Sequence, residues 1–199
     1  MKKFLGFAAL GILILGVLVF AILPNPFLQG GYTKGQWQKI NEFYETETIS
    51  QSITTSPKAI SLDWFLAVDN IFQPFVDTRI FDLRTQKFFV VQRTGGQGHA
   101  DVEPSSSYHS QVLSEITQKM PKTRLPVLVE LSGMWVAASL STTLHGFGLI
   151  TNNGVSGHLC LHFENSKTDG TKRVDFLHQK TIKDALKMGQ KIFPKNNQK

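Results

Sequence analysis

The only cysteine of the chain lies between two histidines in the segment GHLCLHF, residues 157–163. Successive side chains of a strand point to opposite faces, so an extended segment places His158, Cys160 and His162 on one face. An imidazole beside a thiol helps to hold it as the thiolate, the form that attacks electrophiles and binds metals. The segment therefore predicts a reactive thiol or a metal ligand. A buried, inert cysteine is the structural alternative, because free Cys is among the most buried residue types.

A third histidine precedes this segment in LHGFGLI, residues 144–150. We expect GFGLI to be a strand that is joined to HLCLHF by the turn TNNGVSG, which carries an Asn-Gly signal. This short connection predicts that His145 lies beside Cys160, where it would serve as the base that a cysteine nucleophile needs. Gly146 leaves room for a substrate or for close approach of another backbone segment.

Together the two segments resemble the L,D-transpeptidases of bacterial peptidoglycan, which have a YkuD-like catalytic domain. That family carries a His-Gly pair and then Ser/Thr-His-Gly-Cys, with Arg or Asn two residues after the Cys. Here His145-Gly146 matches the first element and residues 157–162, GHLCLH, match the second. The hairpin RIFDLRTQKFFVVQRTGG is similar to the family's opening strands, so the resemblance covers residues 79 to 165.

The resemblance implies a cysteine acyltransferase with a thioester intermediate. Gly157 replaces the family's hydroxyl residue, and Leu159 replaces the glycine before the nucleophile. We expect a side chain at Leu159 to crowd the backbone donors that would stabilise the oxyanion. By position, the resemblance implies that Cys160 is the nucleophile, that His145 is its base and that the Gly146 carbonyl orients that base. It also implies that His158 is a support near the oxyanion and that His162 contacts the substrate.

Another polar cluster follows the glycines in RTGGQGHADVEP, residues 93–104. In an extended segment His99, Asp101 and Glu103 share a face. With Arg93 they form a candidate site for substrate binding, and His99 and Asp101 are also candidate metal ligands. A solvated loop is equally compatible, because Gly-rich turns commonly gather polar residues.

The residues and the resemblance together leave three functions open. The first is a cysteine acyltransferase or peptidase that acts on peptidoglycan stem peptides without a cofactor or metal. The second is a zinc hydrolase; the outer ligands of His-x-Cys-x-His lie ~13 Å apart on a strand, so two of them would combine with His99, Asp101 or His145. The third is a non-catalytic cell-wall-binding module.

The N-terminal sequence predicts the compartment. Residues 4–23 carry no charge and follow Lys2 and Lys3, which predicts a helix that crosses a bilayer with its N-terminus in the cytoplasm. A cleaved signal peptide is the alternative, but its apolar region is normally shorter, about 7–15 residues. The net charge of +6 falls to +4 without the two lysines, which favours anionic wall polymer or lipid surfaces. Nucleic acid is excluded as a partner of a domain outside a bacterial cell membrane.

The rest of the chain predicts one α+β domain, β-rich, with antiparallel hairpins and peripheral helices. RIFDL pairs with KFFVV, and LPVLVEL pairs with MWVAASL across Ser132-Gly133. Helices are expected at 59–72, 105–119 and 175–190. On the last helix, Phe176, Ile182, Leu186 and Met188 are expected to be buried, and His178 is expected at the surface or core edge. The predicted organisation is an anchor (1–23), a tether (24–34), a helical segment (35–78) and a YkuD-like catalytic domain (79–193).

Overall fold

The computed structural model describes residues 58–118 and 124–193. These residues form six strands: β1 (Thr78–Asp82), β2 (Lys87–Gly95), β3 (Ala100–Pro104), β4 (Arg124–Leu131), β5 (Met134–Ser141) and β6 (Leu159–His162). Three helical segments lie outside the strands. A π-helical turn (Trp64–Val68) continues into α1 (Asp69–Ile71), and the longer helices are α2 (Ser107–Gln118) and α3 (Phe176–Ile192).

The strands close into an antiparallel barrel in the order β1-β2-β3-β6-β5-β4, because β1 also pairs with β4. Both predicted hairpins, β1–β2 and β4–β5, are confirmed. At the β4–β5 turn Ser132 and Gly133 have φ values of 49° and 74°, the left-handed conformation that glycine adopts readily. The β-rich character is confirmed, while closure into a barrel was not predicted.

Two apolar clusters hold the barrel together. The larger includes Phe89, Val102 and Leu161, all fully buried. The smaller lies where α3 packs on β4 and β5, and it includes Ile182 and Ala185 of that helix. Apolar burial supplies the main favourable free energy of such a fold.

The last helix is confirmed, and Asp175 caps it by accepting a hydrogen bond from the His178 backbone N–H at 2.8 Å. Ile182 is buried as predicted, whereas Leu186 and Met188 are only partly buried against the smaller cluster. The prediction for Phe176 is wrong, since its side chain is 77% exposed. The physical reason is the helical period: the buried stripe of α3 runs through residues 178, 182, 185 and 189, and Phe176 falls outside it.

The segment before β1 packs on the barrel. Trp64, Val68 and Phe72 are buried in the larger cluster, so the packed core extends to the N-terminal side of residue 79. The helix predicted over 59–72 is confirmed only in part, from Trp64 to Ile71. The predicted anchor, tether and residues 35–57 lie outside the described residues. Among the described helices none is both long and apolar enough to cross a membrane.

Replacing Leu159 by Ala tests how far the barrel depends on the strand that carries the cysteine. Leu159 is buried, so we expect the free energy of unfolding to fall by about 2–5 kcal/mol. Urea unfolding followed by tryptophan fluorescence measures the change. The control is Leu149→Ala on an exposed side chain, which should change the stability by less than about 0.5 kcal/mol. Equal losses in the two variants would contradict the assigned burial.

Candidate active site

The candidate site lies on the outer face of the barrel, where β3 pairs with β6. Asp101 is the register partner of Cys160, and Val102 is the partner of Leu159. Leu159 and Leu161 are buried in the barrel, whereas Cys160 is partly exposed on the opposite face. The predicted alternation is therefore confirmed. The Leu159 side chain itself points into the core.

Two imidazoles contact the single thiol from different segments. His99 Nε2 lies 3.1 Å from Cys160 Sγ, and His145 Nε2 lies 3.4 Å from it. The His99 ring is buried, while His145 is exposed. The sulfur therefore has one partner on its protein side and one on its solvent side.

Three histidine rings are each anchored through Nδ1 to a backbone carbonyl. His99 Nδ1 lies 2.8 Å from the Lys167 carbonyl oxygen, and His158 Nδ1 lies 3.1 Å from that of Phe147. His145 Nδ1 lies 3.1 Å from the carbonyl oxygen of Thr143, not of Gly146, which the resemblance implied. Because a carbonyl can only accept, each Nδ1 carries hydrogen and each Nε2 faces the site. In the neutral tautomer His145 can thus take a proton from sulfur or from an attacking amine.

Charge at the site favours a protonated His99. Burial lowers its pKa, but hydrogen bonds with Asp101 and Cys160 outweigh burial and raise the pKa to about 10. Burial also raises the pKa of Asp101, yet His99 and the charges of the neighbouring histidines reverse the effect and leave that pKa below its usual value. Asp101 Oδ1 lies 3.3 Å from His99 Nε2 and 3.6 Å from His158 Nε2. An imidazolium at His99 attracts both the carboxylate and a thiolate.

A backbone bridge joins the two ends of the 145–158 loop. His145 N–H donates to the His158 carbonyl at 3.1 Å, and His158 N–H donates to the His145 carbonyl at 2.9 Å. Gly157 has a φ of 92°, and a Cβ there would lie 2.6 Å from the His145 carbonyl oxygen. A Cβ on Gly146 would lie 2.6 Å from the His158 ring. These two glycines therefore permit the close approach of His145 to His158 and so to the cysteine beyond it.

A buried carboxylate holds the middle of that loop. Glu103 Oε1 accepts from Leu149 N–H at 2.8 Å, and Oε2 accepts from Ile150 N–H at 3.0 Å. The strand predicted for GFGLI is wrong, because these amides bind a side chain in place of a neighbouring strand. The partner of Glu103 is thus the backbone of the loop that joins His145 to His158.

Behind the cysteine lies a column of stacked imidazoles. His162 packs between His99, with ring centroids 4.4 Å apart, and His178, at 3.8 Å. The His162 side chain is only 2% exposed, so the substrate contact that the resemblance implies for it has almost no accessible surface. His178 is buried as well, and its Nδ1 lies 2.9 Å from Ser139 Oγ.

Arg93 is occupied within the protein. Its guanidinium pairs with the Asp69 carboxylate at 2.6 Å and donates to four backbone carbonyls, those of Asp69, Phe72, Gly95 and Gly96. It also lies over the Trp64 ring, 4.8 Å from the centroid. These contacts use all five N–H donors of an arginine, so none is left for the substrate that we expected it to bind. Arg93 instead fastens the segment before β1 to β2.

The mouth of the site combines exposed apolar and acidic side chains. Phe147, whose carbonyl anchors His158, is 91% exposed, and Leu144 and Leu149 on the same loop are also exposed. The exposed Asp169 places Oδ2 3.8 Å from His99 Nε2. Exposed apolar side chains and a carboxylate thus both lie near the histidines of the site.

The sequence did not reveal several of these contacts. It named His99 only as a substrate or metal ligand and did not predict its contact with the sulfur, because 61 residues separate the two in the chain. It placed His178 at the surface or core edge, and it offered no signal for Asp169 or Ser139. Only the β3–β6 register would have indicated that His99 and Asp101 approach the cysteine.

Replacing Glu103 by Gln should loosen the loop that carries His145. Glutamine removes the charge that strengthens both backbone hydrogen bonds, so we expect a loss of about 1–3 kcal/mol in the free energy of unfolding. Hydrogen exchange measured by mass spectrometry should show faster exchange of the Leu149 and Ile150 amides. Glu115→Gln, on an exposed residue of α2, is the matched control. Unchanged exchange in the first variant would remove Glu103 from this role.

The buried imidazoles should make the fold sensitive to acid. Burial and the nearby Arg124 charge lower the pKa of His178 to about 4, while Asp175 opposes them; burial and the surrounding positive charges lower that of His162 to about 2. The unfolded chain thus binds protons below pH ~6.5 that the folded protein does not, so the free energy of unfolding should fall as the pH drops from 6.5 to 5. His99 opposes this slope only near pH 6.5, because its raised pKa keeps it protonated in the folded protein while the unfolded chain takes up the same proton as the pH falls below ~6.5.

Urea unfolding at several pH values measures this slope. His178→Phe keeps a ring in the column and removes one titrating group, so its slope between pH 6.5 and 5 should be smaller than that of the parent chain. Each removed histidine accounts for at most about 1.4 kcal/mol per pH unit. Identical slopes would show that His178 titrates normally in the folded protein.

Comparisons with known proteins find no relative of this chain. Neither the models of protein families, nor the curated proteins, nor the solved structures contain a match.

Proposed function

We propose that the protein is a membrane-anchored, extracytoplasmic cysteine acyltransferase or peptidase that acts on peptidoglycan stem peptides. The observation that carries the proposal is the contact of the single, partly exposed thiol with two anchored imidazoles, at 3.1 Å and 3.4 Å. A nucleophile within hydrogen-bond reach of a base, with the base oriented by a third group, is the arrangement that covalent catalysis requires.

The two imidazoles suit different steps. His99 is buried, stacked and close to Asp101, so as an imidazolium it stabilises the Cys160 thiolate. His145 is exposed, and its Nε2 faces the sulfur from the solvent side, where a substrate amine arrives and leaves. The charge pair therefore makes the nucleophile, and His145 moves the proton of the amine.

The reaction then proceeds in two halves. With the Cys160 thiol proton held on His145 Nε2, the thiolate attacks a peptide carbonyl carbon. The tetrahedral intermediate then collapses to a thioester as the C–N bond breaks and His145 gives that proton to the leaving amine. A second amine, or water, then attacks the thioester; His145 takes its proton and the thiolate leaves. Asp101 and the exposed Asp169 favour approach of a protonated amine.

The choice of peptidoglycan and of the membrane is supported by the sequence. The order His145-Gly146 followed by His158-x-Cys160 resembles the L,D-transpeptidases, and the apolar run 4–23 is typical of a bilayer anchor. Together they favour a substrate outside the membrane that carries amide bonds and amines.

Alkylation with iodoacetamide tests the nucleophile, since Cys160 is the only cysteine in the chain. The full-length protein, kept in detergent, should react at pH 6 at least about tenfold faster than the same chain in urea. His99→Asn should remove most of that advantage, because it removes the imidazolium beside sulfur. His109→Asn, on α2 away from the site, is the matched control and should keep the advantage.

Muropeptides provide the functional half of the same test. Mass spectrometry of protein quenched in acid should show an acyl adduct on Cys160, and His145→Asn should lower the turnover rate by about 10²–10⁴-fold. A thiol that reacts no faster than in urea and forms no adduct would leave a non-catalytic wall-binding module. Stoichiometric zinc whose removal abolishes turnover would instead support a zinc hydrolase.

A further inference from the structure

His162 is buried at a cost that stacking alone does not explain. Its side chain is 98% buried between two other imidazoles, and its Nδ1 has no hydrogen-bond partner among the described residues. Leaving a polar atom buried and unpaired costs about 1–3 kcal/mol, and a phenyl ring would fill the same space without that cost. A histidine in this position therefore calls for a partner of its ring nitrogen.

The neighbours of His162 are ligands of the kind that soft metal ions prefer. One ring nitrogen of His162, one of His99 and Cys160 Sγ all lie within 4.8 Å of one another. Zinc binds imidazole nitrogen at about 2.0–2.1 Å and thiolate sulfur at about 2.3 Å, so tetrahedral ligand atoms stand roughly 3.3–3.8 Å apart. His99 Nε2 and Sγ are already 3.1 Å apart, and the His162 nitrogen lies within 4.8 Å of both, so a small side-chain movement brings it to ligand distance.

The surroundings are also suitable for a cation. His99 Nδ1 donates to the Lys167 carbonyl, which is the type of outer contact that orients a metal-bound histidine. Asp101 Oδ1 lies 3.3 Å from His99 Nε2, close enough to neutralise part of the charge of an ion there. A water molecule can take the fourth position on the open side. The carboxylates of Asp101 and Asp169 favour a positive ion at this point.

We propose that His99, Cys160 and His162 form a binding site for a soft divalent cation, preferably zinc, and that the bound cation inhibits the Cys160 nucleophile. On binding, the His99 imidazolium releases its Nε2 proton to solvent and the Cys160 thiolate donates a lone pair to the ion, so that this lone pair no longer attacks a carbonyl. Binding itself stands on the ligand geometry. The inhibition rests on the function proposed above for Cys160.

Cobalt(II) is the probe for binding, since it replaces zinc and absorbs light. Titration of the full-length, reduced protein should produce a thiolate-to-cobalt charge-transfer band in the near ultraviolet that saturates at one ion per chain. The band can come only from Cys160, because the chain has no other cysteine. His162→Phe should weaken cobalt binding by at least about tenfold, and His109→Asn should bind as the parent does.

A measurement that needs no variant guards against misfolding of His162→Phe. X-ray absorption at the zinc edge of the parent protein, loaded with one zinc ion, should show one sulfur and at least two nitrogen or oxygen neighbours at the distances given above. A coordination shell without sulfur, or equal cobalt affinity in the parent and in a folded His162→Phe, would overturn the proposal.

Alkylation connects binding with regulation. Zinc should slow the iodoacetamide reaction of the parent at least about tenfold, and a chelator should restore the rate. Each variant is compared with its own rate in the absence of metal.

If cobalt binds to sulfur but no acyl adduct ever forms, the acyl-transfer function fails and the metal site stands. If adducts form and zinc at about 100 μM changes neither absorption nor alkylation, the metal site fails and the enzyme stands.

Discussion

The site depends on one strand pairing, that of β3 with β6. This antiparallel register sets Asp101 opposite Cys160 and brings His99, just before β3, onto the sulfur. It is also the pairing that closes the barrel between β2 and β5, and closure leaves no free edge. Because a slip of one residue would turn every side chain of β6 to the other face, the leucines in the core keep the thiol outside it. Stability and chemistry are thus coupled on a four-residue strand.

Backbone carbonyls define which histidine atom faces the thiol or the Asp101 carboxylate. His99, His145 and His158 are each held at Nδ1 by a carbonyl of a different loop residue, so each presents Nε2. This arrangement needs no side-chain partner behind the ring, and it makes the loops the orienting groups of the site. Glu103 acts one step further from the thiol, since its carboxylate accepts hydrogen bonds from the loop that carries His145. Substitutions at loop positions far from Cys160 in sequence should therefore change the reactivity of its thiol by changing the orientation of the imidazole rings.

The favoured protonation state differs among the histidines of the column. Contacts with Asp101 and Cys160 favour the charged form of His99, while burial favours the neutral forms of His162 and His178. A neutral ring stacked on an imidazolium separates it from the apolar core without adding a second charge. The same neutral nitrogen at His162 is a good ligand for a soft cation. A single cluster thereby suits a thiolate–imidazolium pair or a metal ion, but not both at once.

The sequence by itself determined the hairpins, the longer helices and the alternation that leaves Cys160 facing away from the leucines, because these follow from local periodicity and turn residues. It also indicated His145, since a short loop limits how far the two segments can separate. Only the tertiary structure decided that His99 contacts the sulfur, that Glu103 binds a loop where a strand was expected, and that Arg93 and His162 are enclosed by the protein. Those contacts join residues that are far apart in the chain, and closure of the barrel, which no local pattern encodes, brings them together.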